Sequence, residues 1–144
     1  MPIRPGVTTL LVGAAVLTFV LSASAQVDKF KARLSTIPIE ATTAASIAGS
    51  GSATAVLTGT SLSISGTFEG MKTPATRAQI HRGPKGVRGP ALFDLTITKG
   101  TSGTIGGTLT LAPAQVDDLK KGRFYVQIHA EKAPDGNLWG WLLP

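Results

Sequence analysis

The feature that most constrains the fold is a series of short apolar runs, separated by turn-forming residues, that begins near residue 53. The runs alternate with Gly, Ser, Thr, Pro or Lys, and they are Ala53–Leu57, Leu62–Phe68, Arg77–His81, Ala91–Thr98 and Thr104–Leu111. No helical pattern lies between them, as the crossover connections of a parallel sheet would require. The spacing therefore predicts an all-β domain, either an antiparallel sandwich or a barrel.

The segments on either side of this series complete the predicted fold. Lys29–Leu34 alternates polar and apolar residues and predicts an edge strand, whereas the small residues of 41–52 predict a loop or a weakly formed strand. Pro113 suits the first turn of a helix and Gly122 can end one, which predicts one short helix between them. Glycines in Thr58–Ser61 and Lys99–Gly103 predict hairpin turns.

The last part of the chain predicts two further strands joined by a turn. In residues 123–130, Phe124, Val126 and Ile128 share one face, which belongs in the core. A turn is expected at Pro134–Asn137, and a final strand at Leu138–Leu143 with two tryptophans pointing outward.

The N-terminal 25 residues resemble a signal peptide. Arg4 gives a short basic region, an apolar run extends from about Leu10 to Leu21, and Ala23-Ser24-Ala25 is a small-residue cleavage site. The alternative is an uncleaved anchor, but the run is shorter than the roughly 20 apolar residues of a membrane span. We expect one exported domain, residues 26–144, that is periplasmic or extracellular and has no stable membrane insertion after cleavage. Its core must be stable without disulfides because the chain has no cysteine.

A basic loop follows the strand at Arg77–His81. Arg82, Lys85 and Arg88 lie in it without a carboxylate between them, in a chain of net charge +6. Such a patch attracts acidic partners, and in a chain without a nucleic-acid-binding motif an acidic glycan or a protein is a better fit than nucleic acid. The alternative is a solvated loop whose charges only aid solubility.

Two copies of the tripeptide Gln-Ile-His hold the only histidines of the chain. Strand alternation places Gln79 and His81 on one face, and Gln127 and His129 on one face of a later strand. If the strands share a sheet, the four side chains form one polar cluster, which is either a hydrogen-bonded structural cluster, a pH-sensitive contact or a weak zinc or copper site with Glu131 as a third ligand. No cofactor is otherwise expected.

Trp139 and Trp141 are neighbours on one strand face. An exposed aromatic pair is typical of carbohydrate-binding and protein-binding sites, and the alternative is that the N-terminal segment or a second molecule covers them. We expect no enzyme and no catalytic residue, because the chain lacks cysteine, a nucleophile elbow, a zinc-protease motif and a phosphate loop.

Motifs spread over the chain resemble the CHRD domain family. They are Phe30–Ser35, Ala78–Gly83 with the following Gly89-Pro90, Leu119–His129, and Pro134–Leu142. The resemblance implies an immunoglobulin-like or Cu,Zn superoxide dismutase-like β-sandwich in an exported protein. The family often has His where this chain has Gln79, and polar residues in place of the two tryptophans. We expect a binding module for recognition, adhesion or assembly that acts through Arg82, Lys85, Arg88, Trp139 and Trp141; the alternative is a metal-binding or redox-accessory protein.

Overall fold

The chain forms eight strands and one helix. Their bounds are β1 Val27–Thr36, β2 Ser50–Thr58, β3 Ser61–Glu69, β4 Ala75–Arg82, β5 Ala91–Ile97, β6 Gly103–Thr110, α1 Pro113–Lys120, β7 Phe124–Ala130 and β8 Ala133–Trp141. The structure is a computed structural model that describes residues 2–3, 6, 13–22, 24 and 26–144. The predictions of an all-β class and one short helix are confirmed.

The strands close into an antiparallel barrel in the order β1-β2-β3-β6-β5-β4-β7-β8. The predicted immunoglobulin-like or Cu,Zn superoxide dismutase-like sandwich is therefore wrong. All eight strands pair on both sides, and the barrel depends on two short pairings, in which β1 joins β8 and β5 joins β6. These closures are narrow, since β1 meets β8 at Ser35 and Thr36, and β5 meets β6 at Thr96 and Ile97.

Two predictions about the ends of strands are also wrong. The first strand is not an edge, because its polar groups pair with β2 along one side and with β8 along the other. The predicted turn at Pro134–Asn137 belongs to β8, and the chain reverses earlier, at Glu131 and Lys132. Gly136 adopts a φ of 133° there, so the glycine serves an irregular strand rather than a turn.

The barrel interior holds the predicted core. Phe30, Ala32 and Leu34 of β1 are buried, as are the alternate residues Phe124, Val126 and Ile128 of β7. Leu119 brings α1 into the same apolar cluster. Each large side chain of this kind contributes about 1.5–3 kcal/mol when fully buried, so the core stabilises the domain without a disulfide.

The predicted signal peptide covers residues 1–25, and Arg4, Leu10, Ala23 and Ala25 among them lie outside the described residues. Within the part of the chain that the structure describes, no helix has the length and apolar character needed to cross a membrane.

Candidate functional site

The candidate site lies on the outer face of β4, β7 and β8. The antiparallel register sets Gln79 opposite Gln127, His81 opposite Tyr125, and Arg77 opposite His129. Side chains at these alternate positions point away from the barrel core. The structure thus brings both Gln-x-His pairs to one face.

Irregular strand pairing occurs beside both histidines. The register shifts between Ile80 and His81 where β4 meets β5, and between Ile128 and Ala130 where β7 meets β8. Bulges of this kind commonly redirect a side chain next to a functional site. Here the ring centroids of His81 and His129 lie 6.2 Å apart.

The loop of residues 83–90 covers part of this outer face. The Gly83 carbonyl accepts a hydrogen bond from Trp141 Nε1 at 2.9 Å, and the Gly89 N–H donates to the Tyr125 hydroxyl at 2.9 Å. Tyr125 is therefore fully buried although it points out of the barrel. Its ring contacts Trp141 and stacks on His81, with centroids 4.6 and 5.0 Å away, which builds a small second core beneath the loop.

Beside this covered area lies a cleft of about 440 Å³, which we call the histidine cleft. Its lining includes the four predicted cluster residues together with Arg77, Arg88, Tyr125 and Asp135. Glu131, the predicted third metal ligand, is exposed in the turn after β7 and does not line the cleft. The cleft therefore presents imidazoles, amides and guanidinium groups, with Asp135 as its acidic residue.

Backbone carbonyls fix both imidazole rings. The Nδ1 atoms of His81 and His129 each lie 2.8 Å from a carbonyl oxygen, of Gly89 and Pro134 respectively. A carbonyl oxygen only accepts, so each Nδ1 carries the proton and donates. In the neutral rings each Nε2 is then a free acceptor, and both Nε2 atoms are buried with no hydrogen-bond partner in the described parts of the chain.

The pKa of His129 lies below its ordinary value of 6.5, chiefly because burial disfavours the charged ring. The hydrogen bond to Pro134 opposes this shift, whereas the positive charges of Arg77, His81 and Arg88 add to it. His129 is therefore a neutral ligand or acceptor at neutral pH.

The stability of the protein is expected to fall as the pH decreases below about 6.5, because the unfolded chain binds a proton at His129 more readily than the folded chain. The loss stops once the pH is below the lowered pKa of the folded state. Urea denaturation at several pH values measures this slope, and His129→Gln should flatten it. If the pH dependence of stability is unchanged in the variant, a group other than His129 takes up the proton.

The two glutamines of the cluster make structural hydrogen bonds. Gln79 Nε2 donates to Asp94 Oδ1 at 2.8 Å across the β4–β5 pair. Gln127 Nε2 donates to the Asp135 carbonyl at 2.9 Å and so holds the beginning of β8 against β7. The glutamines thus position the cleft walls.

The cations of the predicted basic loop are dispersed. Arg82 forms an ion pair with Asp118 at 2.6 Å, and the hydrogen bond from Arg82 lowers the pKa of that carboxyl group. Arg88 donates to the Asp135 carbonyl at 2.7 Å, with its guanidinium carbon 6.0 Å from the Trp139 ring centroid. Lys85 is exposed and has no ion pair among the described residues. Arg82, Lys85 and Arg88 therefore do not form one anion site.

The two tryptophans line a second recess of about 340 Å³, which we call the tryptophan groove. Arg33, Ser35, Lys85 and Leu143 share its lining. Trp141 is only 8 % exposed beneath the 83–90 loop, whereas Trp139 is partly exposed, and their rings meet edge to face at 4.8 Å. The 83–90 loop of the same chain therefore covers Trp141.

Three residues of this surface were not among the predicted site residues. Arg33 reaches the groove because β1 pairs with β8, a closure that alternation alone does not indicate. Tyr125 lies opposite both His81 and Trp141, so the parity of β7 could have found it. Arg77 could have been found from its shared face with Gln79 and His81.

Comparison with known proteins gives one match. A search of curated proteins and a search of solved structures each found none. A protein-family comparison matches residues 17–142 to the CHRD domain, which confirms the resemblance in the motifs and spans nearly all of the described barrel. The chain therefore belongs to the CHRD domain family.

Proposed function

We propose that this protein is an exported, non-enzymatic binding module that recognises an acidic glycan through the tryptophan groove. Membership of the CHRD domain family suggests a binding or interaction module. The signal-peptide pattern of residues 1–25 supports export. The residues that line the tryptophan groove support an acidic glycan as the partner.

One observation carries the proposal: Arg33 and Lys85 line a groove with the partly exposed Trp139 ring and without a lining carboxylate. Neither cation has an ion pair among the described residues, so both are free to meet an anion. Sulfate and carboxylate groups suit such cations, and the apolar face of a sugar ring suits an indole.

The size of the groove favours a short segment of a chain. Its volume of about 340 Å³ lies at the lower end of the range of small-molecule sites, about 300–1,000 Å³. Arg88 does not line the groove, but its guanidinium carbon lies 6.0 Å from the centroid of the Trp139 ring. An acidic protein segment offers the same charges but no sugar face for the indole.

The test compares two variants that lose the same charge. Arg33→Ser with Lys85→Ser removes both groove cations, whereas Lys29→Ser with Lys99→Ser removes two exposed cations that do not line the groove. We expect the groove variant to bind a size-defined heparin oligosaccharide at least about 10-fold more weakly, since charged hydrogen bonds are lost, and the control variant to bind nearly as the native protein does.

Tryptophan emission gives the readout, because a sugar on Trp139 changes the surroundings of its indole. A neutral dextran oligosaccharide should leave the emission unchanged. Equal weakening in both variants would show attraction by net charge alone and would overturn the proposal. Binding of a poly-glutamate peptide as tightly as the oligosaccharide would assign the groove to acidic proteins instead.

A further inference from the structure

The histidine pair in the cleft has the features of a metal-ligand set. His81 and His129 are the only histidines of the chain, and the fold brings their rings to a centroid separation of 6.2 Å. They come from β4 and β7, two hydrogen-bonded strands. A pairing of adjacent strands holds the two rings in place, so little ordering is needed when a ligand binds.

Each ring is oriented as metal-binding imidazoles are. In protein metal sites, a ligating histidine almost always donates its other N–H to a carbonyl, a carboxylate or a water, which fixes its tautomer and orientation. The bonds from His81 to Gly89 O and from His129 to Pro134 O do this for both rings. Both Nε2 lone pairs are buried and unpartnered among the described residues, although buried polar atoms are usually paired.

The composition of the cleft selects the kind of ion. No group of three His, Cys, Asp or Glu side chains among the described residues is placed to hold a metal. Zinc prefers four ligands in structural sites and three in catalytic sites, so two imidazoles are a poor zinc site. Cu(I), a closed-shell ion, is stable with two nitrogen ligands in a near-linear arrangement.

The charges around the cleft also favour a monovalent ion such as Cu(I) over a divalent ion. Arg77 and Arg88 line it, and their positive charges act on His129. Coulomb repulsion grows in proportion to the charge of the ion, so these cations disfavour a divalent ion about twice as strongly as a monovalent one. Asp135, the acidic residue of the lining, offsets part of this repulsion.

We propose that His81 and His129 bind one Cu(I) ion through their Nε2 atoms, in a two-coordinate site of the histidine cleft. The ion enters and leaves in the same oxidation state, so no electron donor or acceptor is needed. The cleft of about 440 Å³ borders both rings and gives a route from solvent. This site is separate from the tryptophan groove, so either assignment can fail without the other.

An anaerobic titration with Cu(I), in competition with a coloured chelator, tests the site. We expect one ion per chain, and X-ray absorption with the pre-edge feature of two-coordinate Cu(I). His81→Gln and His129→Gln should each weaken binding by more than the about 10–100-fold that loss of a ligand's hydrogen-bond partner costs. Thr58→Ala, at an exposed position of β2 that does not line the cleft, is the control and should bind as the native protein does.

A second measurement needs no variant. Ag(I), which has the same charge and geometry but no accessible redox chemistry, should shift the imidazole Nε2 resonances of both histidines in nitrogen NMR and leave both Nδ1 atoms protonated.

The proposal is overturned if the double variant His81→Gln with His129→Gln keeps the native affinity for Cu(I), or if only Nδ1 resonances shift with Ag(I). Tighter binding of Zn(II) than of Cu(I) would also overturn it.

Discussion

Replacing Trp141 with alanine is expected to lower the free energy of unfolding by about 3–5 kcal/mol, the usual cost of removing a large buried aromatic side chain. Trp141 is 8 % exposed and contacts Tyr125 and Trp139. Its Nε1 donates to the Gly83 carbonyl at 2.9 Å, so the variant also removes a bond that holds the 83–90 loop on the barrel. Urea denaturation followed by far-ultraviolet circular dichroism measures the loss without relying on tryptophan emission.

Trp139→Ala is the matched control for this prediction. Trp139 is partly exposed and its side chain makes no hydrogen bond to described residues, so we expect a loss below about 2 kcal/mol. Trp141→Phe keeps most of the ring packing but leaves the Gly83 carbonyl without its donor, which costs about 1–3 kcal/mol. Equal losses for Trp139→Ala and Trp141→Ala would contradict the view that the loop, and not solvent, covers Trp141.

The strands and the helix could be predicted because their signals are local. The alternation of apolar and polar residues predicts Phe124, Val126 and Ile128 in the core, where they lie. Pro113 and Gly122 mark the two ends of the helix. The hairpin turn after β2 was marked by Gly59, which adopts a φ of 62°. Each of these features depends on residues a few positions apart.

Closure of the barrel could not be predicted because it depends on contacts far apart in the chain. Alternation is the same in a sandwich and in a barrel and predicts both equally, and the family resemblance favours the sandwich. What decides between them is whether Ser35 pairs with Trp139 and Thr96 pairs with Gly106. These closures involve few residues, so no long sequence pattern marks them.

The candidate site was predictable in its parts and not in its assembly. Parity placed Gln79 with His81 and Gln127 with His129, but it could not show that one loop would cover Tyr125 and Trp141. The same loop supplies the Gly89 carbonyl that orients His81. The fixed tautomer of His81 therefore follows from loop geometry, which no spacing in the sequence encodes.

Gly89→Ala should disrupt this loop and is expected to cost about 3 kcal/mol or more of stability, at the upper end of typical single substitutions. A β-carbon at residue 89 would overlap the carbonyl oxygen of Arg82, which is backbone and cannot move aside alone. The Gly89 N–H also donates to Tyr125, and its carbonyl accepts from His81. Chemical denaturation measures the loss, and the temperature midpoint should fall with it.

Gly86→Ala, in the same loop, separates a steric cause from loop rigidity in general. Gly86 has a φ of 83° and open space around it, so alanine there meets only left-handed backbone strain, about 1–2 kcal/mol. The two variants should also differ in Cu(I) affinity, because Gly89 accepts the hydrogen bond that orients His81 and Gly86 does not. Loss of such a partner weakens metal binding about 10–100-fold, so Gly89→Ala should bind Cu(I) more weakly than Gly86→Ala. Equal effects of Gly86→Ala and Gly89→Ala on stability and on Cu(I) affinity would contradict this prediction. They would show that any change to the loop backbone has the same effect, and that the Gly89 contacts do not position His81.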